Sequence, residues 1–268
     1  MRLFSFVVPD WRHRHLIAQL LRRRIEARFR GSMLGVGWNL LMPLMMLLVY
    51  TLVFDHFLKI RWPGAEAGGG LAAALRIYLG LIVLNYVAEN LGSAPTLLLE
   101  HVQFVKKVVF PLPTLAYVAA TSALVPLVFG IVVAAVMAVW LPDTRPWRLA
   151  ALLFYWLPLY LYALAIHWWF GALGVYVRDL AHLTAPLSTM LMFLSPVFYS
   201  AEILPPPWNT WIVYNPLTVP IETARTLLFE PSWPAPGPTL ISLAVALMLA
   251  FSGRIVFRKL QRGFADVL

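Results

Sequence analysis

Six stretches of the chain are each about as long and apolar as a membrane-crossing helix, and nothing constrains its fold more. A span needs roughly 20 mostly apolar residues to cross the hydrocarbon layer. The stretches are Met33–Phe54, Leu75–Leu91, Leu112–Trp140, Leu149–Val177, Leu183–Tyr199 and Thr239–Phe257. Composition agrees, with 61% of the 268 residues hydrophobic and 12% charged. A soluble globular domain is about half apolar and a quarter charged. The charges are too few to cover a soluble body of this size. The sequence thus excludes a soluble enzyme, a disordered chain and a nucleic-acid-binding domain, and predicts an all-α polytopic membrane protein.

A seventh apolar stretch, Trp208–Phe229, is interrupted by Pro216 and Pro220 and carries Glu222 and Arg225. Broken backbone at membrane depth has to be buried in protein, so short re-entrant or interfacial helices are expected there. Glu222 and Arg225 stand three apart and can pair on one helix face. The organisation expected is one domain over residues 1–268. Residues 10–32 form an interfacial helix and 33–199 hold five spans. Residues 200–238 form the re-entrant region and 239–257 the sixth span.

Charge placement orients this arrangement. Residues 1–32 carry Arg2, Arg12, Arg14, Arg22, Arg23, Arg24, Arg28 and Arg30. Lys106, Lys107, Arg178, Arg254, Arg258, Lys259 and Arg262 fall on the same side of a six-span chain, giving 15 of the 21 basic residues. Basic residues accumulate on the cytoplasmic side, so both termini are expected there. The N-terminal segment also lacks the apolar core and small-residue cleavage site of a signal peptide. Instead Asp10 can cap a helix over Trp11–Arg30, in which Ile17, Leu21, Ile25 and Phe29 recur every fourth residue beside Leu16 and Leu20. Apolar residues on one side and arginines on the rest describe a helix lying in the headgroup plane.

Chemistry-bearing motifs are sparse. No Gly-Lys dipeptide occurs, so no phosphate-binding P-loop can form. The six histidines show no HExxH pattern, no Gly-x-Ser-x-Gly is present, and there is no cysteine. No metal or catalytic site is expected. Ionisable residues within spans warrant separate attention: Glu89, one turn after Asn85, lies late in the second span, near the expected cytoplasmic end. A proton relay would use such a carboxylate, as would a structural contact at the interface. Aromatics are abundant, with 16 Phe, 11 Trp and 10 Tyr. Interfacial belts account for most of them. For Phe198, Tyr199, Trp208 and Tyr214, flanking the re-entrant stretch, ring faces along a sugar path are an equally open reading.

Several segments carry a family resemblance. Arg28-Phe-Arg-Gly-Ser-Met-Leu-Gly-Val-Gly-Trp-Asn-Leu-Leu-Met-Pro43, running on to Val-Tyr-Thr-Leu-Val-Phe54, opens the first span. Phe104-Val-Lys-Lys-Val-Val-Phe-Pro111 follows the second, and Val177-Arg-Asp179 the fourth. Leu194-Ser-Pro-Val-Phe-Tyr199 and Tyr214-Asn-Pro-Leu217 complete the set. In this order they resemble permeases of the ABC-2 type that export lipid-linked polysaccharide, with wording nearest to the O-antigen exporters. Teichoic acid and capsule exporters are relatives.

The resemblance implies a homodimer of permeases carrying two copies of a separate cytoplasmic ATPase, which would hold the ATP and Mg that this chain cannot. It implies a coupling helix around Thr96–Val109, with Phe104, Lys106 and Lys107 facing the ATPase. It also implies two short re-entrant helices within Glu202–Glu230. The expected substrate is an undecaprenyl-diphosphate-linked glycan crossing the bacterial inner membrane, and Arg23, Arg24, Arg28 and Arg30 would attract its diphosphate. Guanidinium groups bind phosphate through paired hydrogen bonds. Two other classes remain as alternatives. A proton-coupled transporter would use Glu89 and show inverted repeats, and a glycolipid enzyme would work near Arg178 and Asp179.

Overall fold

A computed structural model of the chain describes residues 13–57, 69–106 and 110–268. Asp10, Trp11 and Lys107, which carry sequence expectations, lie outside the described residues. Thirteen α-helical segments and no strand occur among the described residues. They are α1 Arg14–Phe29, α2 Trp38–Thr51, α3 Gly69–Ser93, α4 Val102–Val105, α5 Thr114–Ser122, α6 Leu124–Ala138 and α7 Leu152–Tyr155. The remainder are α8 Leu157–Tyr176, α9 Leu180–Leu194, α10 Trp208–Trp211, α11 Thr218–Phe229, α12 Pro236–Leu260 and α13 Phe264–Val267. The chain is thus an all-α membrane protein.

Among the described residues four helical stretches are long and apolar enough to cross a membrane: Gly70–Ser93, Thr114–Ala138, Leu157–Tyr176 and Pro236–Val267. The expected first and fifth spans correspond to the shorter apolar helices Gly35–Thr51 and Leu180–Leu194. A π-helical turn over Leu52–Phe57 continues the first of these.

Local chemistry explains where the element ends depart from the sequence expectation. The first span begins at Trp38 rather than Met33, because Gly31 and Gly35 take positive φ of 82° and 51°. Only glycine adopts that backbone freely, and the two residues turn the chain from α1 into α2. The fifth helix ends at Leu194 rather than Tyr199. Ser195 precedes Pro196 and takes an extended backbone with ψ 153°, as a residue before proline prefers. The third span is jointed between α5 and α6, where the Pro126 ring would crowd the carbonyl of Ser122, four residues back. Pro158 likewise separates α7 from α8 at Trp156. In the proline-broken stretch α10 and α11 form two short helices, as the prolines imply.

α3 is the hub. It packs against α2, α6, α8, α9 and α11, and Ala72–Leu75, Ile77–Leu84 and Tyr86–Val87 along it are buried. Among the described residues α8 and α12 form the most extensive helix–helix contact. Ser242, Ala246, Ala250 and Gly253 give α12 a stripe of small buried residues at helical spacing. Small residues let apolar helices approach until backbone and side chain touch. A Cβ at Gly253 would lie 2.7 Å from the Trp169 ring. The basic segments gather at one end of the bundle: α1 packs on α5, and buried Phe264 meets Tyr176 and Phe257. At the opposite end Arg148 donates to the carbonyls of Glu230, Pro231 and Ser232.

Candidate functional site

Helix α1 places alternate rows of its surface against the bundle. Leu16, Ile17, Leu20, Leu21, Arg24, Ile25 and Phe29 are half-buried, while Arg22, Arg23, Glu26, Arg28 and Arg30 are exposed. Arg24 therefore belongs to the protein-facing stripe, in the row Leu16, Leu20, Arg24, Arg28 spaced by four. That row was visible in the sequence beside the one led by Ile17. Burial holds the Arg24 guanidinium below its ordinary range, partly offset by the carboxylates of Glu100 and Glu89.

One turn on, Arg28 reaches α3. Its Nη1 and Nη2 donate to Glu89 Oε1 at 2.8 Å and Oε2 at 3.2 Å. The two side chains remain 40% and 32% exposed, so the pair is open to exchange with other partners. Arg24, Arg28, Glu89 and Ser122 line a cavity of about 190 Å³ between α1, α3 and α5. A second cavity, about 240 Å³, begins at the same Arg28 and Glu89. It runs along α3 past Asn85 and Tyr86 to Tyr78 and Tyr50, with Met42 and Met46 of α2 as its wall. Asn85 is exposed there although it lies within a membrane-length helix.

The described parts of the next connection, residues 94–106 and 110–113, cap this end. The Phe104 ring stacks on Phe110 with centroids 4.5 Å apart and on His101 at 5.8 Å. It is therefore used for packing and is half-buried. Glu100, Gln103 and Lys106 are exposed; the sequence reading singled out Lys106 and overlooked the other two.

At the opposite end the predicted Glu222–Arg225 pair forms, with Arg225 Nη1 donating to Glu222 Oε1 at 2.9 Å. Arg225 does far more than pair. Only 4% exposed, it donates through Nε to the Arg76 carbonyl at 3.1 Å. Nη1 and Nη2 reach the carbonyls of Tyr199 at 3.3 Å and Val197 at 2.8 Å. One guanidinium thus ties α11 to α3 and to the turn after α9. A Cβ on Gly80 of α3 would lie 3.1 Å from Val197 Cα and 3.3 Å from Arg225 Nη2. Arg76 lies 3.8 Å from the Phe229 ring centroid as a cation–π contact. Of the four aromatics weighed for a sugar path, Trp208 and Tyr214 are 64% and 82% exposed. Phe198 and Tyr199 are half-buried, and Tyr199 donates its hydroxyl to Phe193. Among the described residues no three His, Cys, Asp or Glu are placed to hold a metal ion.

The sequence matches known proteins over most of its length. A family model described as ABC-2 type transporter matches residues 15–229. An O-antigen export system permease protein RfbA of Myxococcus xanthus is 22% identical over 258 residues, covering 96% of both chains. Two proteins of the same name from Klebsiella pneumoniae are each 22% identical over 261 residues, covering 94% of this chain and 95% of theirs. The family match begins in α1 and ends with α11, taking in the crevice, the capping loop and the Arg225 junction. The chain belongs to the ABC-2 type transporter family of membrane proteins.

Proposed function

We propose that the chain is the permease subunit of an ATP-driven exporter that moves lipid-linked polysaccharide of the O-antigen type across a bacterial inner membrane. The observation that carries this reading is similarity over nearly the whole length to relatives named O-antigen export permeases. The motif order in the sequence agrees with it. In this reading α2 with its π-helical continuation and α9 complete six spans, and α10 and α11 form the re-entrant region. The basic end, with α1 and both termini, faces the cytoplasm.

Two copies of the permease enclose the path, and two copies of a separate ATPase dock beneath. The ATPase holds the ATP and Mg. Exposed Lys106, with Glu100 and Gln103 beside it, offers the docking surface, and Phe104 stiffens the loop through its stack on Phe110. Arg23 and Arg30, exposed on α1, draw the diphosphate of the lipid carrier to the surface, while Arg24 and Arg28 face the bundle. Trp208 and Tyr214 offer ring faces at the far end.

Deleting the chain should leave lipid-linked polymer trapped in the cytoplasm. Replacing Lys106 and Lys107 together by Ala should reduce export at least several-fold while membrane insertion is retained. Export undiminished by the deletion would sink the reading, and capsule or wall polymer trapped instead of O-antigen would reassign the glycan.

A further inference from the structure

A third cavity, about 660 Å³, lies away from both ion pairs, between the jointed helices α5–α6 and α7–α8. One end lies beside the two joints, at Ala123 and Trp156, where the Thr121 and Tyr160 hydroxyls meet at 3.0 Å. The other end is closed where α6 touches the 3-10 turn Pro146–Ala151 that leads into α7. Between these ends, among the described residues, α6 and α8 make no extensive contact of their own. Exposed Val128, Val132 and Leu153 leave the slot open along its side.

Length, polarity and charge together identify what fills it. The lining on α6 runs from Leu124 to Ala135, about 16 Å of helix. The hydrocarbon of one leaflet, half the bilayer core, is roughly 15 Å deep. Along the walls, the Thr121 and Tyr160 hydroxyls satisfy each other, and Trp156 Nε1 donates to the Pro220 carbonyl at 3.0 Å. Such walls leave the hydroxyls of a sugar without partners and suit methylene groups. The mouth differs. Trp147, on the wall there, is 70% exposed, and Arg145 immediately precedes the lining residue Pro146. Arg145 donates through Nη1 to the Asp143 carbonyl at 3.2 Å and makes no ion pair among the described residues. Its neighbour Arg148 is taken up by the carbonyls of Glu230, Pro231 and Ser232. An indole and an unpaired guanidinium at the end of a leaflet-long apolar slot match the depth at which lipid phosphates lie.

We propose that this slot is a specific site for a glycerophospholipid of the leaflet at the end of the bundle opposite α1. One acyl chain lies in the slot, from Trp147 down to the Thr121–Tyr160 pair, and the phosphate rests on Arg145. The acyl chain fills the space that α6 and α8 leave between them, so the lipid acts as a spacer between two jointed helices. This inference goes beyond the export reading and needs only that the protein spans a membrane.

The test uses the full-length protein in lipid nanodiscs containing a trace of phosphatidylglycerol with a photoactivatable diazirine on one acyl chain. After illumination the labelled peptides are mapped. Residues 121–135 and 147–160 should carry about fivefold more label than the exposed α12 face at Leu240, Ile241 and Met248, a preference of about that size marking a bound rather than a passing lipid. Val132→Trp, which fills the slot, should bring its labelling down to the level of α12. Arg145→Gln, at the half-buried mouth and outside the packed core, should lower it about threefold, the scale of one partly exposed ionic contact. Equal labelling of slot and α12 in the wild type would mean ordinary surrounding lipid and overturn the proposal. So would slot labelling indifferent to Arg145→Gln, whether or not the Val132→Trp protein folds. Because the chain has no cysteine, Val132→Cys also reports on a second copy: a disulfide-linked dimer together with an unlabelled slot would assign the slot to that copy instead. A slot labelled by a prenyl-phosphate probe and not by the phospholipid probe would overturn the ligand class.

Discussion

Two arginine–glutamate pairs, one at each end of the bundle, use the same chemistry for opposite ends. Arg225 is buried although its partner Glu222 is as open as Glu89, and its guanidinium also serves three backbone carbonyls from two other parts of the chain. Arg28 with Glu89 is half-exposed, has no further acceptor among the described residues, and opens onto two cavities. The difference is in what replaces the pair when it breaks. Water can take over at Arg28, which is 40% exposed, whereas Arg225 is 4% exposed and the carbonyls it serves share its shelter. Arg225 is a latch, and the Arg28–Glu89 pair an exchangeable contact.

The largest effect that would break this contrast is at the latch. Arg225→Ala should cost about 3–5 kcal/mol, the scale of leaving several carbonyls without the donor they share, at about 1–3 kcal/mol for each that stays buried. The measurement is the fraction of chain that stays monodisperse in detergent after heating. Retention equal to wild type would mean the junction is not held by this guanidinium. Next in size, Gly80→Leu should cost about 1–3 kcal/mol through overpacking, because its side chain would press on Val197 and on Arg225 itself. Combining it with Arg225→Ala should cost less than the two effects added, since both act on one junction. Strict additivity would separate them. Smallest is Glu89→Gln, which should change thermal retention by less than about 1 kcal/mol, as for exposed pairs. A loss comparable to that of Arg225→Ala would erase the distinction between the two pairs.

The proline-governed breaks show how local chemistry can be read ahead of the fold. Pro126, Pro158 and Pro196 each act on residues within four positions, so the joints at Ala123, Trp156 and Ser195 were implicit in the sequence. The reading of unbroken spans over Leu112–Trp140 and Leu149–Val177 passed over them because hydropathy averages across a joint. Arg24 is a subtler case. Its place on the protein-facing row follows from helical spacing, but counting arginines as a uniform charged face concealed it.

What the sequence determined by itself was therefore what depends on neighbours a few positions apart. That includes apolar stretches of spanning length, the concentration of basic residues, the Glu222–Arg225 pairing at three positions, and the ordered motifs of the family. Only the tertiary structure decided which distant groups meet. Arg28 finds Glu89 across 61 positions, and Arg225 reaches the Arg76 carbonyl across 149. The physical reason is that helix periodicity directs a side chain towards a face but does not say which helix lies opposite. In an apolar bundle that choice is made by close packing of small residues such as Gly80 and Gly253, whose hydropathy marks no partner.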